Sequence, residues 1–158
     1  MTFALSDMKV SSHDLKQGDK IAEMHSYDGD NISPQLYWEK TPDGTKSIAV
    51  FCHDPDAPLI SSPGTYGFTH WLVYNIPPTT TELQQGCQDY AKGKNNFGEV
   101  GYGGPKPPEG HGRHHYFFWV LALDIELSLD NGLELAEFLQ KVEPHVLGMN
   151  RLMAHFER

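Results

Sequence analysis

Apolar and polar positions alternate with a period of two along much of the chain, and that period predicts strands. Phe3 and Leu5 hint at a first strand, Leu36 and Trp38 alternate in another, and Ser47 to His53 is apolar on both phases, as a strand buried on both faces would be. From His70 to Ile76 the alternation predicts His70, Leu72, Tyr74 and Ile76 on one side, with Trp71, Val73 and Asn75 on the other. The most β-prone stretch, His114 to Asp124, separates His114, Tyr116, Phe118 and Val120 from His115, Phe117, Trp119 and Leu121. After the Asp130-Asn131-Gly132 turn the period changes. Leu135, Phe138, Leu139 and Val142 then fall at i, i+3, i+4 and i+7, which predicts one amphipathic helix ended by Pro144. The tail from His145 to Arg158 reads as a second short helix giving way to a final strand, a point that periodicity does not settle.

Composition strengthens the β reading. The 15 Gly and 11 Pro supply the punctuation of a many-stranded protein. Two segments stand out as shaped loops, Asp54 to Gly67 and Gly98 to Arg113, and the second carries six Gly and three Pro in 16 residues. Each leads into a histidine-headed strand. At 158 residues, without repeat or linker, one domain is expected. The net charge of −9 and the lack of a Lys/Arg block argue against a nucleic-acid partner. An anion pocket is still compatible with that charge, because salt screens distant charges beyond roughly 10 Å. Cys52 and Cys87 form no CxxC pair and are read as reduced thiols. The N-terminus lacks a secretory pattern, and the longest apolar run, Tyr116 to Leu123, is far short of the roughly 20 residues of a membrane span. A cytoplasmic protein with no membrane span is expected. The triplet Asn31-Ile32-Ser33 precedes Pro34 and is given no weight as a glycosylation site.

Chemistry enters through the layout of DPDAP (Asp54 to Pro58), a loop, the His70 strand, the Pro/Gly loop and the His114-His115-Tyr116 strand. An imidazole donates from a ring nitrogen, and a carboxylate such as Asp54 or Asp56 fixes which nitrogen carries the proton. Tyr116 adds a phenol, and backbone N–H groups in the Gly-rich loop add further donors. Such a ring of donors suits a phosphate or a carboxylate. Either histidine alone is better explained by a turn and a half-exposed strand start, and only the two together, each after a Pro-rich loop, make the pocket an equal reading.

Four ordered segments carry a resemblance: DGDNISPQLYW from Asp28 to Trp38, DPDAP, HWLVYNIP from His70 to Pro77, and GPKPPEGHGRHHY from Gly104 to Tyr116. Together they resemble the bacterial, Raf kinase inhibitor-like branch of the phosphatidylethanolamine-binding protein family, over most of the chain. That resemblance implies a mainly β fold in which a large antiparallel sheet packs with a smaller one, with short peripheral and C-terminal helices and a small anion pocket. Carried over residue by residue, it assigns ligand binding to Asp54, His70, Pro107, Pro108, His114 and Tyr116. Asp56, Tyr66 and Gly104 are weaker assignments, and Ser33-Pro34 looks structural. The implied function is a regulatory or inhibitory module for small phosphorylated or carboxylated ligands, with no cofactor, and a homodimer is a fair expectation. The family's usual His-Arg-Tyr is here His114-His115-Tyr116, which exchanges a permanent charge for a titratable one. Period two places His115 away from His114 and Tyr116.

Three other readings compete. His111, His114 and His115, with His70 and Asp54, would be the ligands of a zinc hydrolase, but no HExxH is present and the clustered histidines would point to both strand faces. Cys52 beside His53 would be a nucleophile, yet alternation separates the two and Cys52 lies in an apolar run. A protein-interaction surface away from the pocket is compatible with the sequence.

Overall fold

The computed structural model describes residues 6–57 and 67–158. The expected strand at Phe3 and Leu5 lies outside the described residues, as do Tyr66 and most of the loop that contains it. The remainder is mainly β. In chain order the elements are β1 (Lys9–Ser11), β2 (Leu36–Glu39), β3 (Ser47–Asp54), β4 (Phe68–Ile76), β5 (Glu82–Leu83), β6 (Ala91–Lys92), β7 (His114–Leu123), α1 (Leu135–Val142) and β8 (Val146–Phe156). Single 3-10 turns occupy Glu23–His25 and Glu143–His145. Two antiparallel sheets result, a small one ordered β1-β2-β5 and a large one ordered β6-β4-β3-β7-β8.

The large sheet is covered on both faces. On one side Ile48, Val50, Cys52, Trp71, Val73, Tyr116, Phe118 and Val120 pack with Leu36, Trp38 and Leu83 of the small sheet. On the other, Ala49, Phe51, Leu72, Tyr74, Leu121 and Leu123 pack with Leu135, Phe138 and Val142 of α1. This explains why β3, central in the sheet, is apolar on both phases, and why α1 shows a single apolar stripe. At roughly 25 cal/mol per Å² of apolar surface, each fully buried large side chain stabilises the fold by about 1.5–3 kcal/mol. The outer edge of β8 is not bare. Ile21 donates its N–H to the His155 carbonyl at 2.8 Å, and His155 donates its own to the Asp19 carbonyl at 3.0 Å. A sheet edge that would otherwise recruit another strand is thereby satisfied.

Two expectations are corrected. The tail is not a second short helix followed by a strand. After the 3-10 turn at Glu143–His145, eleven residues from Val146 run continuously as β8, paired with β7 over almost its whole length. Pairing with the ten-residue β7 overrides a weak local pattern.

The second correction concerns β4, whose strict alternation is broken twice. Ile48 faces Ile76 while Val50 faces Val73, and Cys52 faces Trp71 while His53 faces Thr69, so β4 carries one extra residue at each place. Near its end Asn75 adopts φ +60°. Its side-chain amide donates to the Leu129 carbonyl at 2.8 Å, and its side-chain oxygen accepts the Leu129 N–H at 3.1 Å. Asparagine tolerates this left-handed backbone better than most residues. The bulge sends Ile76 to the side of Trp71 and Val73, away from Leu72 and Tyr74. The bulge at His70 likewise detaches that residue from the Leu72 and Tyr74 side, and its ring lies against Tyr116, 5.1 Å between centroids.

Substitutions at Asn75 separate backbone from side chain. Asn75→Gly loses the two Leu129 hydrogen bonds but keeps the left-handed backbone, whereas Asn75→Val loses both. Urea unfolding is expected to find the Val variant less stable than the Gly variant by about 1–2 kcal/mol, and equal stabilities would show that φ there is not a constraint.

Candidate functional site

The bulge in β4 and the start of β7 meet at one end of the large sheet, where a cavity of about 210 Å³ opens to solvent. Its lining contains Asp54, His70, Pro107, Pro108, His114 and Tyr116, all six of the residues first assigned to a site. Ala57, Phe68, Phe97 and Lys106 complete it.

Each polar group has a definite environment. His70 is 3% exposed, and its Nδ1 lies 2.6 Å from the Gly103 carbonyl oxygen. A carbonyl only accepts, so Nδ1 carries the proton. In return, the His70 carbonyl accepts the Gly103 N–H at 2.9 Å. Burial lowers the His70 pKa from 6.5 to about 4, so the ring is neutral in ordinary buffers. Its Nε2 therefore presents a lone pair, and it has no partner among the described residues. The Tyr116 hydroxyl is equally buried and equally without a partner among them. Burial, reinforced by the Asp54 charge, drives the Tyr116 pKa far up, which fixes the phenol as a donor.

His114 is already engaged. Its Nδ1 donates to Asp54 Oδ2 at 2.7 Å, and its Nε2 lies 2.6 Å from Nδ1 of the exposed His111. Burial raises the Asp54 pKa, opposed by hydrogen bonding and charge from His114 and by the Asp56 backbone N–H. The walls between these groups are apolar. Phe68 and Phe97 meet edge-on at 4.7 Å, and Phe97 stacks on Tyr27 at 4.2 Å.

The Pro/Gly loop is held in place from outside. Gly104 donates its N–H to Asn31 Oδ1 at 2.8 Å, Tyr27 donates to the Pro105 carbonyl at 3.0 Å, and the Tyr102 hydroxyl donates to the His25 carbonyl at 2.7 Å. A Cβ on Gly104 would lie 2.0 Å from the His25 carbonyl oxygen, so only glycine permits this approach. Gly104 is thus a packing residue of the loop and is not part of the cavity lining. At the rim, the Arg158 guanidinium donates from Nε to the Pro107 carbonyl at 2.7 Å and pairs through Nη1 with Asp28 at 3.1 Å. Lys106 reaches the same Asp28 carboxylate at 3.2 Å and lies over the Tyr27 ring.

Asp56 is also absent from the lining. Its Oδ2 accepts both the backbone N–H of His115 at 2.8 Å and the His115 ring Nδ1 at 2.7 Å. His115 lies on the face opposite His114 and Tyr116, as period two requires. The clustered histidines therefore divide: His111 and His114 touch, and His115 turns away. Among the described residues no group of three or more His, Cys, Asp or Glu side chains is arranged to hold a metal ion. Cys52 is buried, and burial raises its thiol pKa well above the ordinary value, the reverse of what a nucleophile needs.

Sequence reasoning missed Phe97, Lys106 and Gly103. Phe97 had a faint signal in Asn95-Asn96-Phe97-Gly98, a turn-prone string that lifts one aromatic beside the Gly-rich loop. Asn95 Oδ1 accepts the Phe97 N–H at 2.9 Å, and Asn96 Oδ1 accepts the Thr69 N–H at 2.6 Å. Together they seat the ring next to β4.

Comparison with known proteins agrees with this fold. The family model described as phosphatidylethanolamine-binding protein matches residues 11–157. This chain belongs to that family. A family member from Aquifex aeolicus, named UPF0098 protein, is 42% identical over 96% of this chain and 89% of its own. The UPF0098 protein YbhB of Escherichia coli is 41% identical over 94% and 99%. Among solved structures, Escherichia coli YbcL, titled a new member of the mammalian PEBP family, superposes with a TM-score of 0.89 at 33% identity, covering 97% of this chain and 99% of its own. A PEBP homologue from Chlamydia trachomatis gives 0.85 at 33% identity, covering 96% and 97%.

The buried, neutral His70 of this family member carries a pH signature. Its folded pKa is below the unfolded value, so its contribution to stability is complete above about pH 6.5 and is lost as pH falls toward 4. The unfolding free energy of the wild type minus that of His70→Phe is expected to shrink by about 3 kcal/mol between pH 7 and pH 4. Taking this difference cancels the Asp54–His114 pair and the other titrating groups. A difference that stays constant with pH would show that the imidazole is solvated.

Proposed function

We propose that the cavity at the β4–β7 end holds the anionic group of a small phosphorylated or carboxylated ligand, and that the protein acts as a regulatory binding module. The observation that carries this reading is the pair of buried polar atoms, His70 Nε2 and Tyr116 Oη, which belong to two residues that line one cavity and have no partner among the described residues. A buried polar group left unsatisfied costs about 1–3 kcal/mol, and a ligand that satisfies both recovers that cost on binding. Such a defect is unfavourable for folding alone and favourable for recognition.

The size of the cavity also supports a head group. A volume of about 210 Å³ accommodates a phosphate with a short substituent, and is below the roughly 300–1,000 Å³ of sites for drug-sized molecules. The family's description, a binder of phosphatidylethanolamine, agrees with a phosphorylated head group as the recognised part. The ring of Phe68, Phe97, Pro107 and Pro108 lowers the local dielectric, which strengthens each hydrogen bond made inside.

Calorimetric titration with O-phosphoethanolamine tests the reading. Tyr116→Phe removes one donor from a hydroxyl that has no protein partner, so the fold is expected to keep its stability while affinity falls roughly 10-fold. His70→Phe is expected to weaken binding at least as much. Undiminished binding in both variants would overturn the assignment of this cavity.

A further inference from the structure

Within the reading of the cavity as an anion site, on which this inference rests, we infer that it selects a phosphate monoester in its singly protonated, monoanionic form, with the ligand's own P–O–H donating to His70 Nε2. The geometry leads there in two steps. First, the Nδ1 proton of His70 is committed to the Gly103 carbonyl at 2.6 Å, so a neutral ring has only a lone pair to offer at Nε2. A fully ionised oxyanion brings only lone pairs as well, and two acceptors repel. A ligand hydroxyl resolves the conflict, while the Tyr116 O–H donates to one of the unprotonated oxygens.

Second, the floor of the cavity, where His70 and Tyr116 lie, holds no cation with which to pair a dianion. The titratable and charged groups around His70 and Tyr116 are Asp54 and His53 on β3, with the Cys52 thiol behind them and Asp56 beyond, His114 on β7, Lys106 and His111 on the Pro/Gly loop, and Arg158 at the rim. The Asp54 carboxyl, which adds negative charge when ionised, is held by His114 Nδ1 at 2.7 Å and by the Asp56 backbone N–H at 2.8 Å. The two nearby cations, Lys106 and Arg158, stay at the rim, both drawn to the Asp28 carboxylate at 3.2 and 3.1 Å. His114 Nε2 is occupied by His111 at 2.6 Å. Burial, which lowers the His70 pKa to about 4, also opposes making this ring cationic. A monoanion that supplies its own proton meets each of these constraints.

The proton balance is explicit. Binding of the monoanion transfers no proton to or from solvent, and binding that starts from the dianion takes up one.

Methyl phosphate and methyl sulfate isolate that proton. Near pH 5 both are monoanions of similar size and shape, but only the phosphate carries an O–H. Calorimetry at pH 5 with the wild-type protein is expected to show methyl phosphate binding at least 10-fold tighter than methyl sulfate. For methyl phosphate, affinity is expected to be nearly flat below the ester's second pKa of roughly 6, then to fall tenfold per pH unit, giving roughly a 100-fold loss between pH 5 and pH 8. In His70→Phe the preference for phosphate is expected to shrink to less than about threefold. Equal binding of the two esters by the wild type, or methyl phosphate binding that strengthens toward pH 8, would overturn proton selection while leaving the anion site standing. Failure of both esters to bind at any pH would instead remove the site reading and this inference with it.

Discussion

The double hydrogen bond between His70 and Gly103 is the contact on which the site depends. The backbone half adds the Pro/Gly loop to the edge of β4, and the side-chain half fixes the tautomer of a ring that solvent scarcely reaches. Without the first, the loop that carries Pro107 and Pro108 loses its backbone tie to β4. Without the second, Nε2 would be free to carry the proton and the cavity would present a different face to a ligand. One residue pair thus sets both the shape of the cavity and its hydrogen-bonding character.

Much of this architecture was legible from residue pattern because period two and period 3.6 report burial directly. The two-sided burial of β3, the separation of His115 from His114 and Tyr116, and the extent of α1 all follow from side-chain direction along a regular backbone. The failures occur where the backbone stops being regular. A bulge adds one residue and reverses every later face, and neither bulge of β4 leaves a mark in the apolar pattern. Asn75 was the one available clue, an asparagine inside an apolar strand. The placement of His70 beside Tyr116 was accordingly implied by resemblance to a family, and the bulge supplies its physical reason. Phe97 and Gly103 were hidden for a related cause, since loop residues meet a site through contacts distant in sequence that no local period encodes.

The segment from His25 to Pro34 shows how a stretch of chain can serve a site without lining it. Asn31 receives the Gly104 N–H, Tyr27 donates to Pro105, and the His25 carbonyl lies where a side chain on residue 104 would have to be. These contacts cross from one end of the chain to the middle and set the loop against a rigid platform. In this view the Pro/Gly loop is shaped less by its own composition than by the surface it lies on.

Asp28 has a further consequence. It gathers both Lys106 and Arg158 at the rim, and Arg158 in turn holds the Pro107 carbonyl. The cavity is therefore assembled from two materials with different responses to ionic strength. Its floor is made of buried, hydrogen-bonded groups that dissolved ions hardly reach, whereas its rim is a three-membered charge cluster open to water and weakened as the Debye length shortens. Salt acts on this protein as a selective solvent for the doorway, softening the wall at Pro107 while the His70–Tyr116 floor keeps its form.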